Sequence, residues 1–483
     1  MLLVEVVQGR LKVIERLKEK VQLLGGSRQG MIEQAAFDRG LACIARFKQR
    51  LADVPVAKIS VMGTFVLRQA RNADGFVRQV SAILGAELMV ITGQREAELI
   101  YQAVAHGYGA RRSDGLQLVI DIGGGSTEFG LGCRGTSNVA HSLALGCVAF
   151  KDSYFTTGQS SGYEAAKQVA LQELAQPDMA AVVEQASQVE VIGTSGTIES
   201  VQTVLRANGW SWDTITADAM NRLETAIAEE QWLVDAGVPG LAPDRVDIFP
   251  AGVAILKACF EVLKLEVVRY VDVSLLHGMV LDATGMGGSP PMRHELAEQS
   301  ITELAQRFAV DLAQAARVEK TALALFSQTQ AWWSEPQLYR SWLKWAARLH
   351  ELGAQVNSRH YHRHGAYILK HAELPGLDEE ERNILSLLVR GHRRTLPGLA
   401  FQAFDPGLAS TLTRLVAVLR LAVILERSHS DADSPQFTAT LDGNHLHLTC
   451  HDDWLAGHPL SARELEVEAT QLGSAAINLT VTD

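Results

Sequence analysis

The stretch Leu118–Gly130, LVIDIGGGSTEFG, ends an apolar run on an aspartate and follows it with three glycines, two hydroxyls and a carboxylate. Gly123, Gly124 and Gly125 carry no Cβ, so backbone N–H groups there can converge on an anion. Ser126 and Thr127 add hydroxyl donors, whereas Asp121 and Glu128 repel a bare phosphate. Carboxylates beside a phosphate cradle make chemical sense when a divalent cation lies between them. Two other glycine-loop readings fail. No G-K-S/T follows, as a P-loop requires, and TEFGLG continues as a strand, so GGGSTE opens a hairpin and not the helix of a dinucleotide fold. A plain tight hairpin is the alternative, and it has little use for this set of polar side chains.

A second loop, VIGTSGTIES (Val191–Ser200), repeats the arrangement with Gly193, Thr194, Ser195, Gly196 and Thr197. A strand-to-helix glycine turn is common by itself, and the spacing does not match a G-x-S-x-G nucleophile elbow. Two glycine–hydroxyl loops in one α/β core are together what a clamp on a chain of phosphates needs. Farther on, LHELGAQVNSRHYHRHGAYILKH (Leu349–His371) and GHRR gather Arg359, His360, His362, Arg363, His364, Lys370, His371, His392, Arg393 and Arg394. These read as a polyanion track, with a solvated basic face as the alternative.

The elements that must carry these residues follow from periodicity. KISVMGT, AELMVITG, LQLVIDIGGG, VEVIGTSG and EVVRYVDV read as strands, each ending in Gly, Thr or Asp. AAFDRGLACIARFKQRLA and REAELIYQAVAHGY read as helices between strands, and LLVEVVQG with RLKVIERL as a hairpin across a glycine turn. Such alternation implies an α/β core with loops gathered at strand ends. Thr284–Met292, TGMGGSPPM, reads as a linker. From about 295 to 430 the pattern is helical, as in HELAEQSITELAQRFAV and TLTRLVAVLRLAVILERS. After SDADSP, FTATLDGNHLHLTC reads as a hairpin, SARELEVEATQLG as a helix and AINLTVTD as a final strand.

A chain of 483 residues, 47% apolar, suits two to four domains. No run approaches the roughly 18 apolar residues of a membrane-spanning helix, and the first thirty residues lack the form of a signal peptide. Cys43, Cys133, Cys147, Cys259 and Cys450 lie far apart without a C-x-x-C pair, which argues against a zinc cage or a disulfide framework. A cytoplasmic protein is therefore expected, with peripheral attachment at the inner membrane face left open. The net charge of −11 supplies no global field for a polyanion, so no nucleic-acid partner is expected.

DIGGGSTE, GTSGT, GTFVLRQARNADGF and DIFPAGVAIL together resemble the exopolyphosphatase and guanosine pentaphosphate phosphohydrolase (Ppx/GppA) family. The resemblance runs from residue 1 to about 430, more loosely beyond. It places the chain in the actin, Hsp70 and sugar-kinase superfamily, whose phosphate loops are β-hairpins. The fold it implies is α/β: two ribonuclease-H-like (actin-like ATPase) domains at 1–100 and 101–286, an all-α HD-like domain at 293–430, and a small α/β cap at 436–483.

By this resemblance, Glu96 in GQREAELIY matches the family's water-activating base, with Arg95 where the family has a further Glu. Without it, Glu96 reads as a first-turn acid favoured by the helix dipole. Arg68 matches an arginine near the reacting phosphate, a role suited to a forked donor, although a surface helix position would also explain it. Asp121 matches a metal-linked aspartate and Glu128 a further carboxylate for metal or water. Gly123, Gly124, Gly125, Ser126 and Thr127 match one phosphate loop, and Ser195, Gly196 and Thr197 another. The implied cofactor is Mg²⁺, and the implied assembly a homodimer.

The implied activity is removal of terminal phosphate from inorganic polyphosphate. HRHGAYILKHAELPGL is more similar to the exopolyphosphatase branch, and Arg363, His364, His392, Arg393 and Arg394 would line the track. Hydrolysis of guanosine pentaphosphate to tetraphosphate is the alternative within the family. A non-catalytic sensor of polyphosphate or alarmone is the alternative outside it. An HD-type metal site would rest on His350-Glu351, where that motif has His-Asp.

Two departures from the family pattern bear on these expectations. DVSLLHG stands where the family has D-G-A-L-R-E-G, so Val273, Leu276 and His277 put ligand contacts from that stretch in doubt. The family's opening strand and its D-x-G-S-N-S phosphate loop have no counterpart before MLLVEVVQGRLKV. The expectation is a start set too late or a cut chain, with a crippled relative as the other reading.

Overall fold

The computed structural model describes the chain apart from residues 8–9, 24–26, 29, 108–115, 156–158, 229–237, 287–292 and 431–433. It forms two compact units, Met1–Arg293 and His294–Asp483. The linker expected at Thr284–Met292 lies, from 287 onward, outside the described residues, as does the glycine turn of the opening hairpin.

In the first unit, β1 (Leu2–Val7) and β2 (Arg10–Arg16) pair antiparallel, as the two aliphatic runs imply. Helix α1 (Gln34–Arg50) follows, then β3 (Val61–Gly63), α2 (Phe65–Gln69), α3 (Ala73–Leu84), β4 (Leu88–Val90) and α4 (Gly93–Gly107). Strands β3 and β4 pair parallel with each other and not with β1–β2, so the described strands of residues 1–100 form separate two-stranded pieces. Their core comes mainly from helices, with Phe37 of α1 edge-on to Phe76 of α3 at 5.1 Å. Val6, Ile14, Met89 and Val90 consequently remain exposed.

The six-stranded sheet is built by β5 (Leu116–Ile122), β6 (Thr127–Cys133), β7 (Thr136–Leu143), β8 (Glu190–Thr194), β9 (Thr214–Thr216) and β10 (Val267–Tyr270). Its order is β9-β10-β8-β5-β6-β7, with β10, β8 and β5 parallel and the β5–β6–β7 meander antiparallel. Both faces are covered, which explains the unbroken apolar runs of β5 and β8. Helix α5 (Cys147–Tyr154) follows the meander, α6 (Ser195–Ala207) follows β8, and α7 (Phe249–Val262) is buried at every position from Phe249 to Phe260. Helix α8 (Leu275–Thr284) closes the unit.

The second part is helical through α9 (Arg293–Arg307), α10 (Leu312–Gln328), α11 (Pro336–Leu349), α12 (Tyr361–His371), α13 (Glu379–Gly391) and α14 (Pro406–Leu425), and ends in a sheet of β11 (Phe437–Asp442), β12 (His445–Cys450) and β13 (Asn478–Thr482). β11 and β12 form the expected hairpin, and β13 joins β12 in parallel after α15 (Pro459–Gly473). The expectation that nothing is long and apolar enough to span a membrane needs correction. Helix α14 passes that test by length and composition, with a mean hydropathy of 1.9, although 72% of the window is packed inside the unit. Its buried Arg420 grips Glu468 of α15 in two hydrogen bonds of 2.5 and 2.6 Å and gives a third to the Gly391 carbonyl. A core helix cross-linked in this way satisfies its one deep charge internally.

Three imidazoles share this interior. His350, His362 and His392 are each under one-tenth exposed, and the His392 ring lies 5.5 Å from His350 and 6.3 Å from His362. Burial holds all three below the usual imidazole pKa, His362 at about 4 and His392 well below its ordinary value. The unfolded chain therefore binds more protons in acid. Stability from the three neutral rings is complete above about pH 6.5, the ordinary imidazole value, and is lost progressively as pH falls below it. Thermal melts from pH 7.5 to 4.5 should show this loss, and His392→Leu should make the dependence shallower.

Candidate active site

The glycine hairpin is locked from behind. Gly123 N–H donates to the Ser126 carbonyl at 2.9 Å, closing the turn between β5 and β6. The first amides of α5 take the turn's carbonyls: Cys147 N–H bonds Gly123 O at 3.0 Å and Val148 N–H bonds Gly124 O at 2.9 Å. The N–H groups of Gly124 and Gly125 find no acceptor among the described residues, which leaves them for an anion. This arrangement needs Gly146, where a Cβ would lie 2.3 Å from Gly124 O and from Gly125 Cα. Thr127 is fully buried, and its hydroxyl donates to Leu145 O at 2.5 Å. Its side chain thus fastens the hairpin and offers nothing to a ligand.

Three carboxylates meet beside the turn. Asp121, next to last in β5, faces Glu128 of β6 in register. Glu96 sits in the first turn of α4, which packs on β6 and β7, and is only 8% exposed. Glu96 therefore points neither into solvent nor into an apolar interior. Arg68 of α2 donates to Glu96 Oε2 at 2.8 Å and to the Ile91 carbonyl at 3.0 Å, with its guanidinium over Phe65. Burial raises the Glu96 pKa while Arg68 opposes the rise. Burial, then the Glu96 charge, push Asp121 up to about 6 against the Thr194 hydrogen bond. Burial and the charges of Glu96 and Asp121 push Glu128 up to about 8.

Asp121 and Glu128, raised by burial and by neighbouring carboxylate charge, lack a compensating cation among the described residues. Among the described residues no three His, Cys, Asp or Glu side chains converge as a metal cage. Mg²⁺ does not require one, because it is held by one or two carboxylates, waters and substrate phosphates. Asp121 and Glu128 fit that demand as two hard oxygen donors whose crowded charge a divalent cation relieves.

The second loop joins the first through β8, the neighbour of β5. Thr194 Oγ1 donates to Asp121 Oδ2 at 2.6 Å, across the register pair of the two strands. Ser195 opens α6 in the left-handed region, φ +82°, and donates its hydroxyl to Ile122 O at 2.9 Å. Thr197 is buried with its hydroxyl toward Cys147 Sγ at 3.6 Å. What faces outward at 195–197 is thus the set of unbonded amides of a helix N-terminus. Arg245 crowns it: its Nη2 lies 1.8 Å from where a Cβ on Gly196 would be, and it pairs with no carboxylate among the described residues. Sequence reasoning passed over Arg245. The signal was available, since it is a cation four residues before the all-apolar FPAGVAIL, where a helix must start in the interior.

A cleft of about 360 Å³ beside Arg68 is lined by Phe65, Gln69, Gly93, Gln94, His141 and Ser142, among others. His277, the departure at DVSLLHG, caps α8, its Nδ1 accepting from Ser274 N–H at 3.1 Å. In the helical unit the expected track is corrected. His392 is 2% exposed, with Nδ1 donating to Val389 O, so it cannot line an open channel. His362 is buried as well. Arg363 and Arg394 are exposed, His364 and Arg393 partly so, and Arg393 lies 4.4 Å over Tyr361. None of these arginines pairs with a carboxylate among the described residues. His350 is buried and donates to Ala347 O at 2.7 Å, and no His-carboxylate cage forms with Glu351 among the described residues.

Gly146→Ala tests the backbone packing behind the cradle. Its Cβ meets backbone and not a movable side chain, so a loss of about 1–3 kcal/mol in unfolding free energy is expected, together with weaker phosphate binding. A variant as stable and as tight as the wild type would contradict the close approach.

The Ppx/GppA phosphatase family model matches residues 2–285, and the model of domain III of that family matches 296–469. The chain is 34% identical over 481 residues to guanosine-5'-triphosphate,3'-diphosphate pyrophosphatase of Photobacterium profundum, covering 98% of this chain and 93% of that one. It is 31% identical over 477 residues to the protein of the same name from Vibrio atlanticus, with the same coverage. Among solved structures, an exopolyphosphatase from Cytophaga hutchinsonii shares the fold at 21% identity and a TM-score of 0.51, covering 59% of this chain and 94% of that one. With a two-domain actin-like α/β fold and a helical C-terminal part, this chain belongs to the Ppx/GppA phosphatase family.

Proposed function

We propose that the chain hydrolyses the terminal phosphoanhydride of guanosine pentaphosphate, releasing orthophosphate and leaving the tetraphosphate. The observation that carries this reading is the buried Glu96–Arg68 pair set against Asp121 and Glu128 at the mouth of a locked glycine turn. Substrate choice is supported by the two relatives at 31–34% identity, which are named for this nucleotide. The burial of His392 also removes part of the basis for a polyphosphate track.

In this mechanism the γ-phosphoryl group lies between the amides of Gly124 and Gly125 and the N-terminus of α6, with Arg245 on a neighbouring phosphate. Glu96 accepts a proton from water as its oxygen bonds to phosphorus and the bridging P–O bond breaks. Arg68 opposes the protonation that burial favours and holds Glu96 in place. A Mg²⁺ held by Asp121 and Glu128 would neutralise charge on the transferring oxygens. The site is formed within residues 1–286, between the parts we assign as 1–100 and 101–286.

Inorganic polyphosphate is the second reading, favoured by Arg363, Arg393 and Arg394 of the helical unit, which pair with no carboxylate among the described residues. Phosphate release from guanosine pentaphosphate and from long-chain polyphosphate, measured side by side, separates the two. Glu96→Gln should lower kcat by roughly 10²–10⁴-fold on the true substrate while leaving its binding within a few-fold. Binding of either compound without release by the wild-type protein would instead indicate a sensor. Unchanged turnover in Glu96→Gln would remove Glu96 from the chemistry.

A further inference from the structure

The register of the meander places Ser142 of β7 directly opposite Glu128 of β6, on the same face of the sheet. Ser142 Oγ donates to Glu128 Oε1 at 2.8 Å. Its single hydroxyl proton is therefore committed to the carboxylate. The opposite side of Ser142 is equally constrained. A Cβ on Gly93, the first residue of α4, would stand 2.3 Å from Ser142 Cβ and 2.6 Å from Oγ. Gly93 lies one helical turn before Glu96, so Ser142 is wedged between Glu128 and the turn that launches Glu96. It also lines the cleft beside Arg68.

Thr194 stands in the same relation to Asp121, donating to Oδ2 at 2.6 Å from the adjacent strand. Each of the two carboxylates suited to a divalent cation thus has one oxygen tied down by a hydroxyl on the next strand. Carboxylates that bear metals are commonly oriented by such outer hydrogen bonds, whose loss costs affinity although the donor never touches the ion.

We propose that Ser142 is a positioning residue that fixes the Glu128 carboxylate for a divalent cation and sets its spacing from Glu96. This deepens the hydrolase reading above and rests on it for the turnover arm of its test. Ser142 contributes no group to the reacting phosphoryl. It holds Glu128 in one rotamer, so that the carboxylate need not be ordered when the cation and the phosphate chain arrive.

The test is Mn²⁺ binding to the full chain, followed by electron paramagnetic resonance, for wild type, Ser142→Ala, Glu128→Gln and the double variant. Ser142→Ala is expected to weaken Mn²⁺ binding about tenfold. In the Glu128→Gln background the same substitution should add almost nothing, because Ser142 acts through that carboxylate. A side chain that serves packing alone would give equal losses in both backgrounds. Additive losses, Ser142→Ala binding equal to wild type, or a wild type that binds no Mn²⁺ would each overturn the proposal. Circular-dichroism melts identify a variant that has merely unfolded, and Ser142→Cys then supplies a side chain of similar shape with a weaker donor, expected between alanine and wild type. Phosphate release is measured in parallel. A wild type that binds Mn²⁺ with the expected coupling but releases no phosphate overturns the hydrolase reading and leaves the role of Ser142 standing.

Discussion

Everything at this site depends on keeping three carboxylates close together out of bulk water. The Glu96 charge raises the proton affinity of both Asp121 and Glu128, burial raises all three, and the Arg68 guanidinium answers Glu96. Like charges at short range in a partly dry cleft would drive the side chains apart or leave them protonated. The sheet prevents the first outcome by placing Asp121 and Glu128 as register partners, with a hydroxyl from each flanking strand on one oxygen. Electrostatic tension of this kind is what a divalent cation relieves in general, which is how a site gains affinity for the charge it lacks.

The cradle beside them is an exercise in redirecting backbone groups. Carbonyls of the glycine turn are consumed by the first amides of α5, and the turn's own amides are left over. That requires two backbones in contact, which only Gly146 permits. At the second loop the equivalent close approach is made by the Arg245 guanidinium onto Gly196. Hydroxyls that look like ligand groups in the sequence do quieter work. Thr127, Ser195 and Thr197 fasten the two loops to Leu145, Ile122 and Cys147.

The helical unit contrasts with this economy of charge. In a chain of net charge −11, Arg359, Arg363, Arg393 and Arg394 carry no acidic partner among the described residues, while three neighbouring histidines are buried and neutral. The long stems of the arginines let their guanidinium groups reach water, and Arg393 rests its face on Tyr361. Imidazole is short and loses its proton cheaply, so the same stretch of sequence yields a basic surface and a neutral interior.

Much of this was legible from residues alone. The alternation of aliphatic runs with amphipathic stretches implied the α/β core, and GGGSTE running on into TEFGLG implied a hairpin, because a strand's two-residue period and a glycine's freedom are local properties. The glycine–carboxylate composition of Leu118–Gly130 also raised the reading of phosphate with a cation, which depends on residue type and stands as a proposal. Location was another matter. Nothing in GHRR says that His392 turns inward while Arg394 stays out, nothing in APDR says that a guanidinium crosses to Gly196, and nothing in HSLALG says that Ser142 meets Glu128. The separation of residues 1–100 into strand pairs was equally hidden, because strand partnership is settled by long-range packing. Sequence by itself determined which atoms were on hand and their local periodicity. Only the tertiary structure decided which of them met, because strand register and helix placement bring together residues that local pattern cannot relate.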